Sequence, residues 1–315
     1  MDRADFSSNP DTTVRPPLAP GLYIVATPIG NLEDITLRAL RVLRSCDRIA
    51  CEDTRQTRKL LTHFDIHTPV ASCHEHNERE RADELIAAMR GGQRVALVSD
   101  AGIPGISDPG ALLVRAALNA GLRVYPIPGP SAAISALVAS GLPTHRFCFH
   151  GFLPEKSGAR RSALDSIASL LRVEAATGQS APATLIFYEA PHRILDTLLD
   201  MQNLWGDTLE VVVARELTKM HEEFLRGSVA TVLQQLAAQE RVRGEITLLL
   251  SPPQAGATAS SVSDDLLAAL AHLQSTENIT EKDALKQLAR HTGRSKSELY
   301  REVQRLRAST ASRAK

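Results

Sequence analysis

No apolar run in the sequence approaches the roughly 18 residues that a membrane-spanning helix requires. The first twenty residues, MDRADFSSNPDTTVRPPLAP, are polar and proline-rich and lack the apolar stretch of a secretory signal. Cysteine is scarce: Cys46, Cys51, Cys73 and Cys148 form no CxxC pair, which removes zinc-ribbon and dithiol redox motifs. Reduced thiols in a cytoplasmic protein are the simplest expectation. There is no surplus of either charge, with 36 Lys and Arg against 36 Asp and Glu, so a uniformly basic nucleic-acid binder is excluded but local basic patches are not. Neither GxGxxG nor GxxxxGK[ST] occurs, so the usual phosphate-cradling loops are missing. No internal repeat is visible.

What is present is an ordinary globular composition. The chain has 315 residues, 43% of them hydrophobic and 23% charged, enough for about two to three domains. Residues 1–20 read as a disordered tail. Beyond it, LYIVAT, DRIACE, RVALVS and RVYPIP read as strands. Between them lie the helical patterns TLRALRVLRSC, TRQTRKLLTHF, NERERADELIAAMR and ALLVRAALNA. This alternation predicts an N-terminal α/β domain over 21–129 with a mostly parallel sheet. The next stretch has strand patterns at FCFHGF, ATLIFYEA, EVVVARE, EEFLRGS and GEITLLLS, with a polar segment after FCFHGF and fewer helices between. It predicts a second, α+β domain over 130–252. A linker follows at 253–263, and a helical segment occupies 264–315.

Three loops follow predicted strands: ATPIGN (26–31), SDAGIPGISDPG (99–110) and IPGPSAA (127–133). At the carboxyl edge of a parallel sheet such loops line a ligand site. Glycine lets the backbone come close and take positive φ, while proline stiffens the turn. With no phosphate loop, the pattern suits a polar ligand without phosphates, and S-adenosylmethionine is one.

The ordered set ATPIGNLEDIT, CEDTRQT, VSDAGIPGISDPG, IPGPSAAISAL, FYEAPHR, ARELTK and GEITLLL resembles the tetrapyrrole (corrin/porphyrin) methylase superfamily. The resemblance runs from about Gly21 to the C-terminal helices. It is most specific to a branch that methylates a cytidine 2'-hydroxyl in 16S rRNA. It implies two α/β domains with S-adenosylmethionine in the cleft between them, a homodimer, and the 30S ribosomal subunit as partner; the small C-terminal segment, from its own residues, reads as helix-turn-helix-like. It also implies cofactor contacts from Pro28, Asp100, Gly102, Ile103, Ser107, Ser131, Ala132, Tyr188 and Ile246. The loops alone suit a corrin methylase equally well, and a ribosome assembly factor that keeps the fold without catalysis is the third reading.

Methyl transfer to a ribose hydroxyl needs a group that takes or shares its proton, and no metal. Glu189, His192 and Lys219, at polar strand ends, are the candidates. Asp53 in CEDTRQT can also cap the following helix, and the alternative for His192 and Arg193 is an exposed helix face. SCHEHNE (72–78) crowds Cys73, His74, Glu75, His76 and Asn77 together, but alternate residues of an extended chain point apart and no metal-ligand spacing appears, so it reads as substrate-facing.

For RNA, the candidates are Arg55, Arg58, Lys156, Arg160, Arg161, Arg193 and Arg215. Lys156, Arg160 and Arg161 fall in the polar segment after FCFHGF, read as mobile. Arg38, Arg41, Arg44 and Arg48 recur at helical spacing and either meet RNA or are ordinary surface charge. Near the C-terminus, Thr280 with Asp283, and Ser295 with Glu298, look like capping boxes flanking a turn at Gly293. Leu285, Leu288 and Ala289, and Leu299, Val303 and Leu306, form the apolar faces of two helices. Residues 276–315 hold ten Lys and Arg against five Asp and Glu, which points to nucleic-acid contact.

Overall fold

The computed structural model of the chain describes residues 17–74, 77–176, 183–251, 270, 280–292, 299–301 and 303–304. The contacts group residues 1–166 and 183–252 into one compact unit and residues 167–182 and 253–315 into a second. The predicted tail, except its last residues, and the 253–263 linker lie outside the described residues, as do Glu75, His76, Gly293, Ser295, Glu298 and Leu306.

The first unit contains two five-stranded sheets. One is built from β1 (Gly21–Val25), β2 (Arg48–Cys51), β3 (Val70–Ser72), β4 (Arg94–Val98) and β5 (Val124–Ile127). Every pairing is parallel, and the order is β3-β2-β4-β1-β5. Four helices supply the crossovers: α1 (Leu37–Ser45), α2 (Thr54–His63), α3 (Glu78–Arg90) and α4 (Ala111–Asn119). Their starts follow from local chemistry. The Thr36 side chain accepts from the Ala39 N–H at 3.1 Å, and Asp53 accepts from the Arg55 N–H at 2.8 Å. The inner face of α1 buries Ala39, Val42 and Leu43 while Arg38 and Arg44 stay exposed. One core packs α1 and α2 on one face of the sheet, through residues such as Leu43, Ile49 and Leu61. A second packs α3 and α4 on the other, through Leu85, Met89 and Leu113. Each such leucine contributes about 1.5–3 kcal/mol by leaving water. A sheet covered on both faces is why its strands read as continuous apolar runs.

The second sheet joins β6 (Phe147–Phe152), β7 (Thr184–Glu189), β8 (Glu210–Arg215), β9 (Glu223–Ser228) and β10 (Ile246–Ser251) in the order β6-β7-β10-β8-β9. Only β6 and β7 are parallel; the remaining pairs are antiparallel. Helix α5 (Ala132–Ser140) packs on it, with Ala136 and Leu137 against Ile186, Val212 and Leu249. Helices α7 (Ile194–Trp205) and α8 (Val229–Ala237) complete this half. The polar segment after FCFHGF departs from expectation: it forms α6 (Ser157–Ala176), anchored where Arg160 meets Asp200 at 2.7 Å. That partner lies 40 residues downstream, so no local pattern reveals it.

In the second unit, α9 (Glu281–Thr292) begins at the expected box: the Asp283 N–H donates to the Thr280 side chain at 3.3 Å. Leu270, Ala284, Leu285, Leu299 and Val303 form a small buried cluster with Leu288 and Ala289 against it. Among the described residues no helix is long and apolar enough to cross a membrane. Cys46, Cys51 and Cys73 are buried free thiols, and burial pushes the Cys46 thiol up to about 12.

Candidate functional site

The three glycine-proline loops come from β1, β4 and β5, which are neighbours in the sheet. Their carboxyl ends therefore converge at one place. The loops are stitched together: the Thr27 N–H donates to the Gly102 carbonyl at 2.9 Å and the Gly102 N–H returns to Thr27 at 3.1 Å. Gly102 has φ +79°, and a Cβ there would sit 3.3 Å from the Ile29 side chain. Glycine is needed for the conformation first and the space second. Ser107, with a side chain, nevertheless holds φ +58°. Non-glycine residues in that region cost of order 1–3 kcal/mol and gather at functional sites.

Against these loops the second sheet brings the end of β7 and the start of β10, where Glu189 pairs with Ile246 and Tyr188 with Thr247. A cavity of about 370 Å³ lies between the two. Its wall is mostly apolar, through Ile29, Ile103, Ile106, Phe152, Leu217 and Ile246. Of the expected cofactor contacts, Gly102, Ile103, Ser107, Ser131, Ala132, Tyr188 and Ile246 lie on this wall. Pro28 and Asp100 do not: Pro28 is buried, and Asp100 is exposed and accepts from the Asp53 N–H at 3.3 Å.

Sequence reasoning missed two acids on the wall, Asp108 and Glu245. Burial, then the nearby charge of Glu52, raises the Asp108 carboxyl to about 6. The Tyr188 hydroxyl is raised as well, by burial first and the charge of Asp108 among the rest. Glu245 is an exposed rim group that accepts from Lys219 Nζ at 2.9 Å. A third missed residue, Glu78, supports the site from behind. It is buried, and its Oε1 accepts from the N–H groups of Gly110, Leu112 and Leu113 at 2.9, 3.1 and 3.3 Å, capping α4 from another helix. Asp108 was legible in VSDAGIPGISDPG as a second acid beside glycines; nothing local marks Glu78.

The three candidate bases meet different surroundings. Glu189 is on the wall, but its side chain is fully buried and engaged: Oε1 accepts from the Ala190 N–H at 2.8 Å and pairs with Arg193 at 3.1 Å, and Oε2 accepts from Thr197 at 2.6 Å. Lys219 donates to Glu216 at 2.8 Å and to Glu245. Burial alone would lower its pKa, but the two carboxylates outweigh that and hold it above the usual lysine value, as a cation. His192 is exposed and off the cavity wall. Lys219 also explains a glycine: a Cβ on Gly30 would collide with its stem.

The basic candidates divide by burial. Arg160 is 3% exposed and paired with Asp200, so it anchors α6 and is not a surface contact. Arg193 faces inward, donating to the Leu153 carbonyl at 2.6 Å, and Arg215 pairs with Glu223 and Gln239. Arg161 and Lys156 are exposed on or beside α6. Arg55, Arg58, Lys59 and His63 line one open groove on α2. In the first arginine set, Arg44 donates to the Phe64 carbonyl at 2.8 Å and Arg48 pairs with Glu84, which makes both supports of the fold. In the SCHEHNE stretch, Cys73 is buried and Asn77 accepts from the His74 N–H at 2.8 Å. Among the described residues no three His, Cys, Asp or Glu side chains come together as a metal site.

The family model described as Tetrapyrrole (Corrin/Porphyrin) Methylases matches residues 21–233. A protein of Mesorhizobium japonicum named "Ribosomal RNA small subunit methyltransferase I" is 44% identical over 291 residues, covering 92% of this chain and 94% of its own length. Proteins with the same name from Escherichia coli O157:H7 (46% identical, covering 89% and 93%) and Pseudomonas aeruginosa (49%, covering 79% and 87%) are similarly close. Among solved structures, a diphthine synthase matches with TM-score 0.55 at 15% identity, covering 73% of this chain and 89% of its own. The methyltransferase CobJ matches with TM-score 0.52 at 18%, covering 74% and 94%. These two likenesses concern the fold.

Proposed function

The chain belongs to the tetrapyrrole (corrin/porphyrin) methylase family and, within it, to the ribosomal RNA small subunit methyltransferase I enzymes, and from that premise we propose that it uses S-adenosylmethionine to methylate the 2'-hydroxyl of a cytidine in 16S rRNA. The observation that carries the reading is the cavity where the three glycine-proline loops meet the β7–β10 edge. The wall suits the cofactor: apolar side chains for the adenine, backbone groups of the Gly102 loop and the start of α5 for the amino-acid end, and the Glu245 carboxylate at the rim for an ammonium or ribose hydroxyls. Gly102, Ile103, Ser107, Ser131, Ala132, Tyr188 and Ile246 are the residues that would hold it. Asp100 and Pro28 act one layer out, Asp100 by fixing the start of α2 and Pro28 by stiffening the loop after β1. Bound there, S-adenosylmethionine supplies an electrophilic methyl group on a sulfonium. The chain's part is to exclude water, align the hydroxyl and hold its proton.

For the RNA, the α2 groove and the exposed Lys156 and Arg161 form the proposed contact surface, with phosphates as the first target. Arg160, Arg193 and Arg215 serve it by holding the fold. The basic C-terminal segment adds a further contact. The substrate is a 30S subunit, whose folded RNA such proteins read by shape, and the enzyme works as a cytoplasmic homodimer. We assign residues 21–129 and 130–252 as its two cofactor-cleft domains.

The test is labelled-methyl transfer to unmethylated 30S subunits and to free 16S rRNA, with the product nucleoside identified by mass spectrometry. The expected product is 2'-O-methylcytidine, formed faster on 30S. A methylated base, or no transfer by a protein that binds the cofactor, overturns the reading.

A further inference from the structure

The acid of the loop after β4 has lost the job its sequence position suggests. In SDPGALL, an aspartate ordinarily accepts from the backbone N–H two residues on, which here is that of Gly110, the residue before α4. Here the first N–H groups of α4 are taken by Glu78, reaching across from α3. Asp108 is left on the cavity wall, half-buried, with its charge acting on the Tyr188 hydroxyl. The other ionisable groups on that wall are spoken for. Glu189 is locked by Ala190, Arg193 and Thr197, and Glu245 is bound to Lys219 at the rim. Tyr188 keeps its proton at neutral pH as any tyrosine does, and burial raises it further.

Building on the proposed reaction, we propose that Asp108 is the catalytic base that takes the proton of the target ribose hydroxyl. As the hydroxyl oxygen bonds to the methyl carbon, its proton passes to the Asp108 carboxylate. The electron pair of the broken carbon–sulfur bond stays on the donor's sulfur, which becomes a neutral thioether. The proton on Asp108 then leaves to solvent.

The surroundings suit that task. Burial and the charges of Glu52 and Asp100 raise the Asp108 carboxyl to about 6, while the Ser99 hydroxyl draws it down; Tyr188 faces it from the second sheet. At pH 7.5 the group is ionised and ready to accept. A base matched to the working pH typically accelerates the step by about 10²–10⁴-fold.

The experiment compares the full-length protein with Asp108→Asn and Asp108→Glu on 30S subunits. It reads single-turnover methylation at saturating cofactor and RNA, the cofactor Kd by calorimetry, and the Asp108 carboxyl titration by ¹³C NMR without ligand. Because the ionised carboxylate is costly where it lies, Asp108→Asn is expected to fold with an unchanged or higher Tm at pH 7.5. The rate of Asp108→Asn should fall by about 100-fold or more while the Kd moves by less than about threefold. Asp108→Glu, which keeps a carboxylate, should recover at least about a tenth of the rate. The wild-type rate should rise with pH through about 6, the value at which the carboxyl itself titrates, and the asparagine variant should lose that limb. A wild-type rate in Asp108→Asn, or a loss confined to cofactor affinity, overturns the inference. A wild-type product other than 2'-O-methylcytidine instead overturns the reaction it rests on, so the two failures are distinct.

Discussion

The two sheets of the first unit build the same cavity by different means. The parallel sheet contributes main chain: its loops after β1, β4 and β5 approach through glycine, proline and positive φ. The mixed sheet contributes side chains held by one another: Glu189 with Thr197 and Arg193, and Lys219 between Glu216 and Glu245. A backbone wall is fixed by which residues are small or cyclic. A side-chain wall is fixed by which partners are in reach. The first kind tolerates change outside a few positions; the second fails when one member of a network is lost.

That contrast predicts a graded set of effects. The largest belongs to the side-chain wall. Glu189→Ala removes a buried acceptor from Ala190, Thr197 and Arg193, and should destabilise the protein by about 3 kcal/mol or more, read as a lower Tm in thermal unfolding. If its Tm equals that of the wild type, the β7 end is not held in this way.

Next comes the support of the backbone wall. Glu78→Ala strips three N–H groups at the start of α4 of their acceptor and should cost about 1–2 kcal/mol. It should also weaken cofactor binding by calorimetry, because the 99–110 loop ends where Glu78 grips. Gly102→Ala should cost a similar or smaller amount, about 1 kcal/mol, and act more on cofactor affinity than on Tm. A Gly102→Ala protein with wild-type affinity would break the claim that this wall is made of main chain.

Adjacent arginines sharpen the comparison further. Arg58→Ala or Arg161→Ala should leave Tm unchanged and reduce the salt slope of 30S binding by about one. Arg160→Ala, one residue from Arg161, should do the reverse, lowering Tm without altering the slope. The smallest effect is at the sheet's far end, where the Arg94 guanidinium holds the Asp47 carboxyl down to about 2. A lowered carboxylate stabilises above its unfolded pKa near 4 and loses that contribution as pH falls toward 2. The pair is about a third exposed, so Asp47→Asn should cost less than about 1 kcal/mol at pH 7, and that cost should shrink as pH falls toward 2 and through it.

Much of this protein was open to reading one residue at a time. The β-α alternation gave the parallel sheet because its helices carry their own caps, at Thr36 and Asp53, and their own apolar stripes. The edge strand β3 escaped notice because it is short and only half-buried, and α5 because its apolar residues surround it and show no period. Helix α6 looked like a loose polar segment because the partner that seats it is distant.

The sequence by itself determined the alternating fold, the three loops and the kind of molecule they can admit, because glycine, proline and apolar spacing act through the local backbone. Only the tertiary structure decided which charges are free to work. Glu78 reaches α4 across 32 residues and Arg160 reaches Asp200 across 40. Those long-range bonds release Asp108 to the cavity and withdraw Arg160 from the surface. Burial and pairing arise only once distant segments meet, and they set what an ionisable group can do.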